Sequence, residues 1–151
     1  MTSSNDASRV SLEIRRATEA DAPALAALLG HLGYPARPED VPERLARLRD
    51  AGDEALVAVR DGDVVGLATL HSRDVLHAAV PVAQLTALVV SPAVRAHGVG
   101  RALVAEAERW SRARGANRLV VTTALHRAEA PPFYERLGFE HTGRRYVKRL
   151  D

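Results

Sequence analysis

Residues 84–103 read QLTALVVSPAVRAHGVGRAL, and this stretch decides the fold. The run up to Val90 is apolar and rich in β-branched residues, which predicts a buried central strand. Ser91-Pro92 ends that strand, and a loop with Gly98 and Gly100 follows. A helix comes next, because apolar side chains recur at i, i+4 and i+7, namely Leu103, Ala107 and Trp110.

A second strand follows this helix. Gly115 predicts the end of the helix, and Arg118–Thr122 has the composition of a strand. A strand, a helix and a strand within about 40 residues predict a parallel pair joined by a right-handed crossover. The segment therefore favours an α/β fold.

The rest of the chain adds an antiparallel pair and further helices. Asp61-Gly62 favours a tight hairpin between Leu56–Val59 and Val64–Leu70, and a looser segment at 71–81 leads into the central strand. The other predicted elements are a first strand at Leu12–Ala17, a helix capped by Thr18 or Asp21 and ended by Gly33, a helix from near Pro38, a short helix at Phe133–Leu137, and a last hairpin at Phe139–Leu150 broken at Gly143. Together these elements predict an α/β domain with a mixed sheet.

The composition is that of one globular domain, with 151 residues of which 46% are apolar. We expect residues 1–10 to be a disordered polar tail and residues 11–151 to form a single domain. The sequence has no signal-peptide pattern and no apolar stretch of about 20 residues, so we expect a cytoplasmic protein that does not bind a membrane. The 21 basic and 19 acidic residues are interspersed, which argues against nucleic-acid binding. Cys is absent, which excludes disulfides, thiolate nucleophiles and Cys-bound metals.

The loop Arg95–Arg101 has the features of an anion site. It joins a strand to a helix start, where unpaired backbone N–H groups and the positive end of the helix dipole point outwards. By itself the pattern R-x-x-G-x-G also fits a turn that only packs helix against strand. The loop contains neither G-x-x-x-x-G-K-[ST] nor G-x-G-x-x-G, which argues against a nucleoside triphosphate or a nicotinamide ligand. The ligand left by this comparison is a diphosphate that backbone groups hold beside a strand edge. Coenzyme A fits that description.

Three segments resemble the GNAT superfamily of N-acetyltransferases. LVVSPAVRAHGVGRAL at 88–103 resembles its acetyl-CoA motif, and APPFYERLGF at 130–139 resembles its "A..FYe.lGF" segment. IRRAT at 14–18, with Asp21, resembles the family's usual opening. The resemblance spans roughly residues 12–150. It implies a GNAT fold, with a mixed central sheet of about six to seven strands and about four flanking helices.

The resemblance also implies a function. It points to an N-acetyltransferase that moves an acetyl group from acetyl-CoA directly to a primary amine of a small molecule or peptide, through a ternary complex and without a metal. With Cys absent and no other activated nucleophile evident, we expect no acyl-enzyme. The family likeness allows a homodimer, which no sequence feature demonstrates.

Roles for single residues follow from the same resemblance. The backbone N–H of Leu88 would donate to the thioester oxygen as negative charge develops there, and Val90 would pair with the pantetheine arm as an added strand. Tyr134 would protonate the departing thiolate, because a phenol with a pKa near 10 is a reasonable acid toward a thiol near 8.5. The residues expected to bind acetyl-CoA are Leu88, Val89, Val90, Arg95, Ala96, His97, Gly98, Val99, Gly100, Arg101, His126, Phe133 and Tyr134.

The chain departs from the family pattern at three positions. Family members often have glycine where Ala96 stands, asparagine where His126 stands, and glutamate where Gln84 stands, and a carboxamide cannot accept the amine's proton. The alternatives for that step are an ordered water chain or one of five side chains, His31, Tyr34, His71, Asp74 and His77. Because no base is fixed by a motif, a second hypothesis stays open: an acyl-CoA-binding sensor or structural module without turnover.

Hydrolysis and metal catalysis have little support. Ser72 beside His71 and Asp74 suggests a triad, but neighbours on an extended segment point to opposite faces, and no G-x-S-x-G occurs. The histidines also lack the H-E-x-x-H spacing of a zinc site.

Overall fold

The computed structural model describes residues 11–123 and 128–151. The chain forms two compact units, one up to Val120 and one from Val121 to Asp151. The described residues form five strands, β1 Leu12–Arg16, β2 Glu54–Arg60, β3 Asp63–Arg73, β4 Val82–Val90 and β5 Leu119–Val121. They also form four helices, α1 Ala22–Leu32, α2 Val41–Asp50, α3 Val99–Ala113 and α4 Ala130–Arg136.

The strands lie in one mixed sheet, in the order β1-β2-β3-β4-β5. The first three pairings are antiparallel. The hairpin between β2 and β3 turns at Asp61-Gly62 as predicted, with φ of 51° and 86°, the left-handed pair that a type I′ turn requires. At the other edge, the N–H of Ala83 donates to the carbonyl of Arg118 at 3.2 Å, so β4 and β5 lie side by side at their first residues.

The two faces of the sheet are covered by different helices. Helices α1 and α2 pack on one face in an apolar cluster that includes Leu25, Leu45, Val57, Leu67 and Val89. Helix α3 packs on the other face, where its Leu103 is completely buried. Both helix predictions before residue 51 are confirmed: Gly33 ends α1 with a φ of 100°, and Pro38 opens a short 3₁₀ turn that leads into α2.

Helix α3 approaches the sheet closely at Gly66 of β3. A Cβ on this residue would lie 2.9 Å from Cδ1 of Leu103 and 3.1 Å from Cγ1 of Val99. Both of those side chains are buried. The absence of a side chain at Gly66 therefore sets the distance between the sheet and the first turn of α3.

Two sequence predictions about the strands are wrong. The sheet has five strands in the described residues, fewer than the six to seven expected. The expected hairpin at Phe139–Leu150 does not form strands, and residues 140–151 are exposed throughout. Isolated hairpins are marginal without a third strand or an apolar face to bury, and this segment is dominated by Arg144, Arg145, Lys148 and Arg149.

The segment 71–81 is also more regular than predicted. Residues 71–73 belong to β3, because they pair with residues 82–84 of β4. The irregular part is therefore confined to residues 74–81. In the part of the chain that the structure describes, no helix has the length and apolar character needed to cross a membrane.

Candidate active site

The loop between β4 and α3 has the backbone shape of an anion cradle. Ala96 and Gly98 adopt left-handed φ values of 67° and 80°, and residues 95–98 are exposed. The first helical hydrogen bond of α3 runs from the N–H of Ala102 to the carbonyl of Gly98, at 3.0 Å. The three N–H groups of residues 99–101 therefore lie in the first helical turn without a helical acceptor. Such groups attract an anion, as the sequence predicts for this loop.

The edge of β4 carries backbone groups that point away from β3. The N–H of Ser91 donates to the carbonyl of Val65 in β3 at 2.8 Å, and Val90, Val89 and Leu88 follow in unbroken register with β3. Alternate residues of a strand direct their N–H and C=O groups to opposite edges. The backbone groups of Leu88 and Val90 therefore point to the edge on which β5 lies. Since β5 has three residues and β4 has nine, β5 is too short to pair with that whole edge.

A β-bulge at Thr86 gives Leu88 this orientation. Leu85 lies opposite Leu70 and Ala87 lies opposite Thr69, so Thr86 is an extra residue in β4. Before the bulge, Ala83 directs its N–H toward Arg118, on the β5 side. With a regular strand, Leu88 would then direct its N–H toward β3. Sequence reasoning missed the bulge, because a threonine in a β-prone run carries no signal for it.

The hydroxyls of Thr69 and Thr86 meet across the bulge, with their Oγ1 atoms 2.6 Å apart. They were not among the candidate site residues. Thr86 is exposed and Thr69 is half-buried, so this pair lies at an accessible part of the sheet beside the edge that carries Leu88.

Of the five candidate proton acceptors, one lies on a strand and four lie outside the strands. His71 is half-buried in β3, opposite Gln84 of β4. The other four lie outside the strands and are exposed, namely His31, Tyr34, Asp74 and His77. Ser72 follows His71 within the same strand, so the two side chains point to opposite faces and form no triad.

A shallow pocket of about 570 Å³ lies at the other end of α3. It is lined by Ser72, Asp74, Pro81, Trp110, Ala113 and Arg114. The guanidinium of Arg114 stacks 4.4 Å from the centre of the Trp110 ring. With 15 residues in α3, at 1.5 Å per residue, this pocket is roughly 20 Å from the glycine loop.

The unit from Val121 to Asp151 holds the aromatic residues of the second motif. Tyr134 is buried in α4 and packs edge-on against Phe133 and Phe139, with ring centres 5.2 and 5.3 Å apart. Gly138 follows α4 with a φ of 94°. This is the left-handed conformation that a glycine adopts at the end of a helix. His126 lies outside the described residues. In the described parts, no three His, Cys, Asp or Glu side chains lie close enough together to hold a metal ion.

Comparison with known proteins agrees with this geometry. The model of the acetyltransferase (GNAT) family matches residues 14–139. An aminoalkylphosphonate N-acetyltransferase of Salmonella typhimurium is 33% identical over 143 residues, covering 91% of each chain. An aminoglycoside N(6')-acetyltransferase type 1 of Stenotrophomonas maltophilia is 35% identical over 136 residues, covering 87% of this chain and 88% of the relative.

A solved structure supports the same assignment. The acetyltransferase of Trypanosoma brucei superposes with a TM-score of 0.80 at 28% identity, over 93% of this chain and 100% of the other. Family model, relatives and structure agree with one another and with the strand, loop and helix described above. The chain therefore belongs to the GNAT family of acetyltransferases, and it is an acyltransferase of the N-acetyltransferase type with acetyl-CoA as the donor.

Proposed function

We propose that the protein transfers the acetyl group of acetyl-CoA directly to a primary amine of a small molecule, within a ternary complex. The observation that carries this proposal is the arrangement of β4 and α3. A strand edge with outward backbone groups at Leu88 and Val90 leads directly into a left-handed loop and the first turn of α3. That order fits an extended pantetheine arm followed by a diphosphate.

The residues of the chain then have separate tasks. The N–H groups of residues 95–101 hold the diphosphate, and Val90 pairs with the pantetheine amides as an added strand would. The N–H of Leu88 donates to the thioester oxygen, on which negative charge develops during attack by the amine. Tyr134 donates its phenolic proton to the departing sulfur. Val89 supports these groups by anchoring the strand in the apolar core.

Small amines are the proposed acceptors because the two relatives are named for an aminoalkylphosphonate and an aminoglycoside. Among primary amines, the amino group of a peptide is the other proposed acceptor. The proposal also places the protein in the cytoplasm, away from membranes and nucleic acids, with residues 11–151 acting as one domain and a homodimer as the assembly suggested by family likeness.

The test is a thiol-release assay with acetyl-CoA and four amines: 2-aminoethylphosphonate, an aminoglycoside, a polyamine and a peptide with a free amino terminus. Because the chain has no Cys, a thiol reagent detects only released CoA. We expect release that requires both acetyl-CoA and one of these amines, and no burst with acetyl-CoA alone. Binding of acetyl-CoA without release for any amine would instead identify a binding module, and a stoichiometric burst would overturn direct transfer.

A further inference from the structure

One face of the sheet carries a line of polar side chains beside the proposed site, which we call the polar strip: Thr69, His71, Gln84 and Thr86. Thr69 and His71 are two residues apart in β3, so they share a face, and Leu67 of the α1 and α2 cluster precedes them on it. Gln84 lies opposite His71 in register, and the hydroxyl of Thr86 meets that of Thr69. All four side chains are half-buried or exposed. On this face of β3, the apolar core ends at Leu67 and a partly accessible polar surface begins at Thr69.

The polar strip lies within reach of the proposed thioester position. Leu88 is opposite Ala68 of β3, and His71 is three residues further along that strand. At about 3.3 Å per residue along the strand and about 4.8 Å between neighbouring strands, the backbones of Leu88 and His71 are roughly 11 Å apart. The imidazole side chain and a small amine, with one bridging water, cover such a distance.

His71 differs from the rest of the polar strip in one respect. Its Nδ1 is buried and has no hydrogen-bond partner among the residues that the structure describes. Buried polar atoms of native proteins are nearly always paired, so an orphaned nitrogen in a half-buried ring calls for a ligand or a catalytic role. Imidazole is also the side chain suited to exchanging protons near neutral pH.

The charged residue that follows His71 on the same face of β3 is engaged in an ion pair. Arg73, two residues along β3, pairs with Asp53 through contacts of 2.6 and 2.9 Å. Gln84, on the opposite strand, has no titratable group. His71 is therefore the side chain of the polar strip that can take up a proton.

We propose that His71 is the general base of the transferase reaction, a proposal that rests on the function proposed above. The imidazole of His71, which is half-buried as a whole, accepts one proton from the ammonium group of the acceptor, directly or through one water. The neutral nitrogen then bonds to the carbonyl carbon, the carbon–sulfur bond breaks, and Tyr134 protonates the sulfur. The nitrogen loses its second proton to solvent, and the phenolate of Tyr134 takes up a proton from solvent. The imidazolium releases its proton to solvent, so each turnover gives one acetamide, one CoA thiol and one proton.

The test compares His71→Ala and His71→Asn with His141→Ala, a matched control at an exposed histidine that has no proposed role. The acceptor is the most active amine of the panel, and kcat/KM is measured from pH 6.5 to 9.5. We expect both His71 variants to lose roughly 10²- to 10⁴-fold near neutral pH. The loss shrinks at high pH, where solvent deprotonates the amine, and added imidazole restores part of the rate of His71→Ala. Acetyl-CoA affinity, measured by calorimetry, stays within about twofold of the unsubstituted protein.

Several outcomes would overturn the role of His71. Full activity of His71→Asn would show that the side chain only packs, and asparagine also serves as the second variant should His71→Ala not fold. A loss that is equal at every pH and insensitive to imidazole would also remove the base assignment. These results leave the transferase function intact, whereas absence of turnover by the unsubstituted protein with every amine overturns both proposals.

Discussion

Asp21 shows how one buried carboxylate joins the first strand to the first helix. Both of its oxygens bind the guanidinium of Arg15, at 2.8 and 2.9 Å, and one also accepts the N–H of Thr18 at 2.8 Å. The hydrogen bonds from Arg15 are the main cause that lowers the pKa of Asp21 to about 2, against an opposing effect of burial. The charged form is therefore stabilised in the folded protein.

This predicts a pH-dependent cost for Asp21→Asn. A carboxyl whose pKa is lower in the folded state stabilises the protein above its unfolded value near 4, and this contribution disappears as the pH falls through about 2. At pH 7 we expect a loss of about 1–2 kcal/mol in the free energy of unfolding, measured with urea. The control is Asp40→Asn, which removes an exposed ion pair with Arg37 and should change stability little. A cost for Asp21→Asn that persists at pH 2 would contradict the explanation.

Tyr134 carries a prediction for the proposed chemistry. Tyr134→Phe keeps the edge-on packing against Phe133 and Phe139 but removes the phenolic proton. We expect kcat to fall by roughly 10²-fold or more, with little change in acetyl-CoA affinity. Tyr146→Phe is the matched control, because that ring is 85% exposed. An unaffected kcat at all pH values would remove the acid assignment.

At the scale of elements, the contact between α3 and β3 depends on Gly66. In Gly66→Ala the new methyl group would meet Leu103 at 2.9 Å and Ala58 at 3.3 Å. We expect a loss of about 1–3 kcal/mol in stability, because close-packed side chains must move. Gly30→Ala in α1 is the control, since nothing lies within 4 Å of its Cβ position and alanine favours the helix. Equal stability of Gly66→Ala and the unsubstituted protein would contradict this contact.

The same contact should affect ligand binding. Val99, the first residue of α3, lies 3.1 Å from the Cβ position of Gly66, and the proposed diphosphate loop directly precedes it. A shift of α3 away from the sheet would move the N–H groups of that turn. The expected result for folded Gly66→Ala is therefore a higher Kd for acetyl-CoA in calorimetry, with Gly30→Ala unchanged.

At the scale of the whole molecule, many arginines lie beside carboxylates. Arg16 and Arg49 both contact the buried Glu54, at 2.8 and 3.6 Å. The side chain of Arg49 also donates to the carbonyl of Ala17. Other arginines pair with nearby carboxylates, as in Arg73–Asp53, Arg109–Glu106 and Arg112–Glu108. Most of these positive charges are therefore balanced by a nearby carboxylate.

The sequence by itself determined the periodic elements and the loop between β4 and α3. Apolar spacing, Gly33, Gly98 and the Asp61-Gly62 turn act through local geometry, so α1, α3 and the first hairpin could be located from residue order alone. The final hairpin was predicted wrongly, because strand propensity does not supply the partner strand or the apolar face that a hairpin needs.

Only the tertiary structure decided which groups meet at the site. The bulge at Thr86 shifts the register by one residue. As a result, the N–H of Leu88 points to the edge of β4 that faces away from β3. The bulge also brings the hydroxyl of Thr86 close to that of Thr69. The pairing of β3 with β4 also places His71 on a strand, opposite Gln84, instead of in a loop. These features depend on hydrogen bonds between residues far apart in the chain, whereas propensity and spacing report only on neighbours.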